Sequence, residues 1–217
     1  MIDAVVFDLD GVLIDSEHVW DEARRDLARE HGRPWPDTAT RDMMGMSSRE
    51  WSRYMHDVVG VPDPPEQISR EVVRRLEELY RHELPLVDGA VEAVQRLAGL
   101  WPLGLASSSN RELIDLVLEL SGLADHFRAT VSSEEVRRGK PEPDVYLEAA
   151  RRLDVSPQRC AAVEDSDAGI RSARAAGMRV LAIPNPRYPP GDEALDLADL
   201  VLPSLAELTP SAVSGTG

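Results

Sequence analysis

From about residue 86 onward the chain repeats one unit: a short apolar run, a polar turn, then a stretch of helical period. PLGLASSS (102–109) predicts a strand that ends in hydroxyls, and a helix starting near Asn110 sets Leu113, Val117 and Leu120 along one face. ATVSSEE (129–135) predicts a weaker strand, and after a loop a helix from about Pro143 takes Val145, Leu147, Ala150 and Leu153 as its apolar positions. CAAVED (160–165), the helix DAGIRSARAAG stopped at Gly177, the strand MRVLAIP and a short strand and helix in DLVLPSLAEL complete the series. Strands that alternate with helices pair in parallel, so the rhythm predicts an α/β fold: a doubly wound, Rossmann-like parallel sheet covered on both faces.

Residues 16–85 interrupt that rhythm and read as helices only. EHVWDEARRDLAREHG places Val19, Ala23 and Leu27 at spacing four; SSREWSRYMHDVVG opens with Ser47 and Glu50 in capping-box register; a longer segment carries Ile68, Val72, Leu76 and Leu79. Breaks fall at 33–36 and 61–65, where prolines cluster. The simplest organisation is a small all-helical domain, 16–85, inserted after the first strand of a core built from 1–15 and 86–217. The last residues, SAVSGTG, read as a frayed tail.

The first strand, AVVF, runs straight into two carboxylates, Asp8 and Asp10. At i and i+2 on an extended chain they project from the same side, which is unfavourable without a compensating cation, shared proton or reacting group. Ligands of open parallel sheets bind at the carboxyl ends of the strands. At those ends, or in the loops after them, stand Asp8 and Asp10, then Ser107, then Lys140, then Glu164 and Asp165. The four acids form an oxygen-only set suited to Mg²⁺ rather than zinc or copper. Lys140 and the Ser107 hydroxyl offer charge and a donor to an anion's oxygens. Carboxylate, divalent ion, ammonium and hydroxyl together describe a site for phosphoryl transfer.

Composition narrows the partners. The 217 residues carry 24 basic and 39 acidic side chains, a formal charge of −15, which argues against binding nucleic acid or an anionic membrane. Twenty-three of the basic residues are arginine, and the single lysine is Lys140 in RRGKPEPDVY, a position where a compact ammonium is used among guanidiniums. Cys160 is the only cysteine, so a multi-cysteine zinc site is excluded and a small buried apolar role is expected. No apolar run approaches the roughly 18 residues of a membrane span, and the N-terminus has no basic region ahead of its apolar run. A cytoplasmic monomer is the default expectation.

FDLDGVLIDSE, LASSSN, GKPEPDVY and VEDSDAGI, in that order, resemble the four motifs of the haloacid dehalogenase superfamily, in particular its phosphatase and phosphomutase branch with a helical cap. The resemblance implies Asp8 as nucleophile, Asp10 as general acid and base, and phosphate binding by Ser107 with Ser108 and Asn110 nearby. It further implies Lys140 steadying Asp8 and the transferring group, and Mg²⁺ held by Asp8, the backbone carbonyl of Asp10, Glu164 and Asp165. The implied substrate is a small phosphorylated metabolite. Within the branch, β-phosphoglucomutase-like enzymes place a histidine five residues after the acid matching Asp15, where this chain has Trp20; His18 falls on another helical face. GMSSREW resembles the mutase's substrate loop only loosely, with Arg49 displaced by one. These departures favour a phosphatase over a sugar-phosphate mutase. Dehalogenases lack the acid that Asp10 represents, and phosphonate-cleaving relatives need a cap lysine that 16–85 lacks. A non-enzymatic regulatory module on this fold would be expected to have lost one of these groups. In the cap, Trp20, Met44, Met46, Arg49 and Trp51 are candidate substrate contacts, Trp20 and Arg49 foremost, while Arg24, Arg25, Arg41 and Arg53 read as solvated faces.

Overall fold

The computed structural model describes residues 1–215. Strand β1 (Ala4–Phe7) leads into helices α1 (Glu17–Glu30), α2 (Ala39–Met43) and α3 (Ser48–Tyr54), the last prolonged by a π-helical turn over Met55–Val59. Then come α4 (Pro65–His82), α5 (Ala90–Ala98), β2 (Leu103–Ser107), α6 (Arg111–Ser121), β3 (Phe127–Ser132) and α7 (Asp144–Leu153). The chain closes with β4 (Cys160–Glu164), α8 (Asp167–Ala175), β5 (Arg179–Ala182), α9 (Asp192–Leu195), β6 (Leu200–Val201) and α10 (Pro210–Ser214). The sheet order is β3-β2-β1-β4-β5-β6, with every pair parallel. The chain therefore winds outward on one side of β1 and then on the other. The crevice at the carboxyl ends of β1 and β4 is the point where the winding reverses.

Alternation along β1 builds two cores at once. Val5 and Phe7 join Leu105, Val163 and Leu181 on one face, while Ala4 and Val6 join Ala106, Ala162 and Val180 on the other. The second face is rich in alanine, and α7 packs close against it. A Cβ at Gly104 would lie 2.9 Å from Leu153 Cδ1. On the first face Phe7 meets Phe127 edge to face, with centroids 6.1 Å apart.

The segment between β1 and α5 is helical as expected, with Val19, Ala23, Leu27, Ile68, Val72 and Leu76 buried. The capping box is present: the Ser47 backbone N–H and hydroxyl both donate to Glu50 Oε2, at 2.8 and 2.6 Å. Its two connections to the sheet run side by side, the Asp15 N–H donating to Pro85 O at 2.7 Å and the Val87 N–H to Leu13 O at 3.0 Å.

Several expectations are corrected. Leu120 and Leu147 are each 41% exposed, because the buried stripe of α6 includes Ile114 and Leu118 and that of α7 includes Tyr146 and Ala149. Leu79 also faces outward, and Tyr80 takes its place in the core. Arg24 is buried rather than solvated, its guanidinium stacked 4.7 Å from the Trp20 ring and 4.9 Å from the Trp51 ring. The expected tail contains α10, which sinks Val213 into the core and is capped by the Thr209 hydroxyl; Thr216 and Gly217 lie outside the described residues. Cys160 is buried and unpaired. No described helix is long and apolar enough to cross a membrane.

Candidate active site

Asp8 follows β1 directly, its N–H donating to Val163 O at 3.0 Å and thereby extending the pairing with β4. The chain then turns tightly: Gly11 adopts φ +85°, its N–H donating to Ile14 O at 2.7 Å. Glycine is required there twice over, since a Cβ would lie 1.9 Å from Asp165 Oδ2. The turn aims Asp10 at the end of β2. Its Oδ1 accepts from Ser16 Oγ at 2.6 Å and from Trp20 Nε1 at 3.2 Å; its Oδ2 accepts from Ser109 Oγ at 2.6 Å and Ser107 Oγ at 3.3 Å.

Lys140 joins the two acid-bearing strand ends. Its ammonium donates to Asp8 Oδ1 at 2.6 Å and to Glu164 Oε1 at 2.7 Å, and Tyr146 OH donates to the same Glu164 oxygen at 2.6 Å. Glu164 Oε2 accepts from the Asp165 N–H and the Ser166 hydroxyl at 3.1 and 3.2 Å. Gly169 makes room for this carboxylate, because a Cβ there would fall 1.9 Å from Glu164 Oε2. Burial pushes Asp8 above the ordinary carboxylate range; Lys140 opposes this, and Glu164 and Asp10 add to it. Burial also raises Asp165, with Glu164 and Asp8 contributing. Lys140 is penalised by burial, but Asp8 and Glu164 outweigh that and hold its pKa above the ordinary value.

Three of these acids meet the requirement for a hard divalent cation. One carboxylate oxygen from each of Asp8, Glu164 and Asp165 lies within 4.8 Å of the others. Asp165 Oδ1 is buried with no hydrogen-bond partner, whereas both Glu164 oxygens already accept from protein donors. An oxygen donor set with an orphaned, buried carboxylate oxygen fits Mg²⁺.

A cavity of about 780 Å³ opens over the cluster. Asp8, Asp10, Ser108, Lys140 and Asp165 form its floor, and Glu17, Arg41, Met44 and Gly45 overhang it from the helical segment. Ser108 Oγ bridges the two by donating to Gly45 O at 3.3 Å. Residues 187–191, in the loop after β5, close one side. Burial pushes Glu17 up to about 7, with the Arg24 guanidinium opposing.

The structure thus brings Asp8, Asp10, Ser107, Ser108, Lys140, Glu164 and Asp165 together, with Ser107 buried behind the cavity against Asp10. Trp20 is buried against Asp10 and does not line the cavity, and Trp51 is packed in the core of the helical segment. Arg49 and Asn110 line a separate crevice, where Asn110 Nδ2 donates to Glu134 Oε1 at 2.8 Å. Arg41, expected on a solvated face, is exposed but lines the cavity. Sequence reasoning missed Glu17, Ser109, Tyr146 and the 187–191 loop. Glu17 had a signal, since 17, 20 and 24 form one helical stripe, and so had Ser109, which stands inside LASSSN; Tyr146 and the loop are joined to the site by tertiary packing.

The family model of the haloacid dehalogenase-like hydrolases matches residues 2–177. The chain is 36% identical over 220 residues to hexitol phosphatase B of Escherichia coli strain K12, covering 98% of this chain and 96% of that protein. It is 31% identical over 179 residues to the phosphorylated carbohydrates phosphatase of Thermotoga maritima, covering 82% of each. Among solved structures, CbbY from Rhodobacter sphaeroides in complex with phosphate superposes with a TM-score of 0.87 at 26% identity, covering 99% of this chain and 100% of that one. The chain belongs to the haloacid dehalogenase-like hydrolase family, among its phosphatases.

Proposed function

We propose that this chain is a Mg²⁺-dependent phosphatase of a small phosphorylated sugar or polyol, acting through an aspartyl-phosphate on Asp8 with Asp10 as general acid and base. The observation that carries this reading is the Lys140 ammonium held 2.6 Å from Asp8 Oδ1 beneath the cavity, beside the partnerless Asp165 oxygen. In the first step Asp8 forms a bond to phosphorus, the ester P–O bond breaks, and Asp10 gives its proton to the leaving oxygen. In the second, water attacks the same phosphorus, Asp10 takes its proton, and the Asp8–phosphorus bond breaks to release phosphate. Lys140 neutralises charge on Asp8 and on the phosphoryl oxygens, while Ser107 and Ser108 supply hydroxyls at the end of β2. Asp8, Glu164, Asp165 and the backbone carbonyl of Asp10 would hold Mg²⁺, which when bound would supply positive charge against the phosphoryl oxygens.

In this reading residues 16–85 act as a cap over a core of 1–15 and 86–217. The cap presents Glu17 and Arg41 to the leaving group. A carboxyl that titrates near 7 can donate or accept hydrogen bonds from sugar hydroxyls. The hexitol and carbohydrate phosphatase relatives support the same substrate class.

Phosphate release from hexitol, aldose and ketose phosphates and nucleotides, with and without Mg²⁺, tests it. Metal-dependent release from the sugar group, abolished in Asp8→Asn, is expected. Metal-independent turnover, or conversion of glucose 1-phosphate to the 6-phosphate with a bisphosphate primer and no free phosphate, would overturn it.

A further inference from the structure

The chain has four tryptophans, four tyrosines and two phenylalanines. All but one are used by the fold: they pack in the two cores or bond a protein acceptor through their polar end, as Trp101 Nε1 does with Ile2 O and Tyr54 OH with Asp42. Tyr188 is the exception. It is half-buried and belongs to neither core. Among the described residues its hydroxyl has no hydrogen-bond partner and its ring no aromatic or cationic neighbour. It is also the only aromatic side chain that lines the cavity over Asp8.

The loop that carries it is built to hold still. IPNPRYPPG (183–191) has prolines at 184, 186, 189 and 190, each fixing its own φ. Pro190 is buried, and the Arg187 N–H donates to Oδ1 of the buried Asn185 at 2.9 Å. The loop leaves the carboxyl end of β5, where the Ile183 N–H donates to Glu164 O at 2.7 Å, so it starts beside the strand end that bears Glu164 and Asp165. Tyr188, Pro189 and Pro190 line the cavity from the core, with Pro141 in the same lining. A wall that is fixed before its ligand arrives loses little conformational freedom on binding.

That wall differs in chemistry from the rest of the cavity. The floor carries carboxylates, an ammonium and a hydroxyl, and the helical segment adds Glu17 and Arg41. Such groups suit phosphate and sugar hydroxyls. An aromatic face among prolines suits a flat array of C–H groups, whose positive edges are drawn to the negative face of the ring. A sugar closed into a ring has such a face. An open-chain polyol does not keep one, because it rotates about each carbon–carbon bond and bears oxygen on every carbon.

We propose that Tyr188 is a specificity-determining residue: its ring takes the C–H face of a cyclic leaving group, so that the chain prefers a phosphorylated ring sugar to the phosphorylated polyol of the same carbon number. This rests on the reading of the cavity as a phosphatase site and names the substrate class within it.

The test compares glucose 6-phosphate with glucitol 6-phosphate, which share a primary-alcohol leaving oxygen and differ in ring closure. The quantity is the ratio of their kcat/KM values for phosphate release in wild type, Tyr188→Phe and Tyr188→Ala. Because it is a ratio, the fraction of active enzyme cancels. Wild type is expected to favour the ring sugar about fivefold, and Tyr188→Phe, which keeps the aromatic face, to retain that preference. Tyr188→Ala is expected to bring the ratio to about one, through KM for the ring sugar rather than kcat. Should the alanine variant not fold, Tyr188→Leu reads the same loss of the aromatic face. A wild-type ratio of one or less, or a preference unchanged in Tyr188→Ala, overturns the role of Tyr188. So does a ratio in Tyr188→Phe as low as in Tyr188→Ala. In each of these cases release that is lost in Asp8→Asn leaves the phosphatase reading in place. Release from neither sugar, or release that persists in Asp8→Asn, overturns that reading and the proposal with it.

Discussion

Lys140 Nζ lies 2.6 Å from Asp8 Oδ1, with only 3% and 7% of the two side chains exposed. The pair sits where the ends of β1 and β4 are drawn together, and Glu164 completes it at 2.7 Å from the same ammonium. One cation thus answers two buried carboxylates, with Asp165 beside them.

Removing that cation leaves buried charge uncompensated. Lys140→Met is expected to destabilise the metal-free protein by about 3–5 kcal/mol, the range for breaking a buried pair, read from denaturant midpoints. Lys140→Arg is expected to fail as well, because a planar guanidinium does not fit the space between Asp8 Oδ1 and Glu164 Oε1. A Lys140→Arg variant with wild-type stability and turnover would show that the site needs only a positive charge.

Gly169→Ala tests the seat of Glu164. A methyl group 1.9 Å from Glu164 Oε2 must move either α8 or the carboxylate that holds Lys140. A loss of about 1–3 kcal/mol with a fall in kcat is expected. Wild-type melting and turnover in the alanine variant would contradict the placement of Glu164 beneath α8.

Glu17 makes stability depend on pH. Its pKa is raised from 4.5 to about 7 by burial, against Arg24 and with Asp10, Asp21 and Asp15 adding to the rise. Between those values the folded chain holds a proton that the unfolded chain has released. Stability from this group is therefore present below about 4.5, falls as pH rises to about 7, and is flat above. The change is on the order of 3 kcal/mol, one unit of pKa being about 1.4 kcal/mol. Urea midpoints at the two ends of that window should converge for Glu17→Gln once the shift common to both proteins is subtracted. Identical pH profiles for wild type and variant would place Glu17 in solvent.

Chelation and metal return form a separate test. Added Mg²⁺ is expected to raise the melting temperature of the wild type, about 2.7 kcal/mol of stabilisation at a hundredfold excess over Kd. Asp165→Asn should lose most of that response, since its partnerless oxygen is the open position of the cluster. An undiminished response in the variant would move the ion elsewhere.

The parallel, doubly covered character of the sheet was legible because its central strands are buried on both faces and read as unbroken apolar runs, AVVF and CAAV. The same strand ends carried the site, since each reacting group follows a strand end or lies in the loop beyond it. Helix faces were less legible where the apolar positions were picked by following the leucines: Leu147 faces out, and Tyr146, whose hydroxyl reaches Glu164, faces in. Arg24 was misread because a charge on a helix usually marks solvent, and only the meeting of α1 with α3 creates two indoles for it to cover. The crevice that Arg49 lines lies between α3, α4 and the start of α6, a meeting that no single segment encodes.

The central assignment is the phosphorylation of Asp8. Rapid acid quench of the Mg²⁺-loaded enzyme during turnover of a hexitol phosphate, followed by mass spectrometry of the peptides, measures it directly. One phosphoryl group on the peptide holding AVVFDLDG, localised to Asp8 and missing in Asp8→Asn, is the predicted result. Turnover with no covalent phosphate on Asp8, or with the label on another residue, would contradict it.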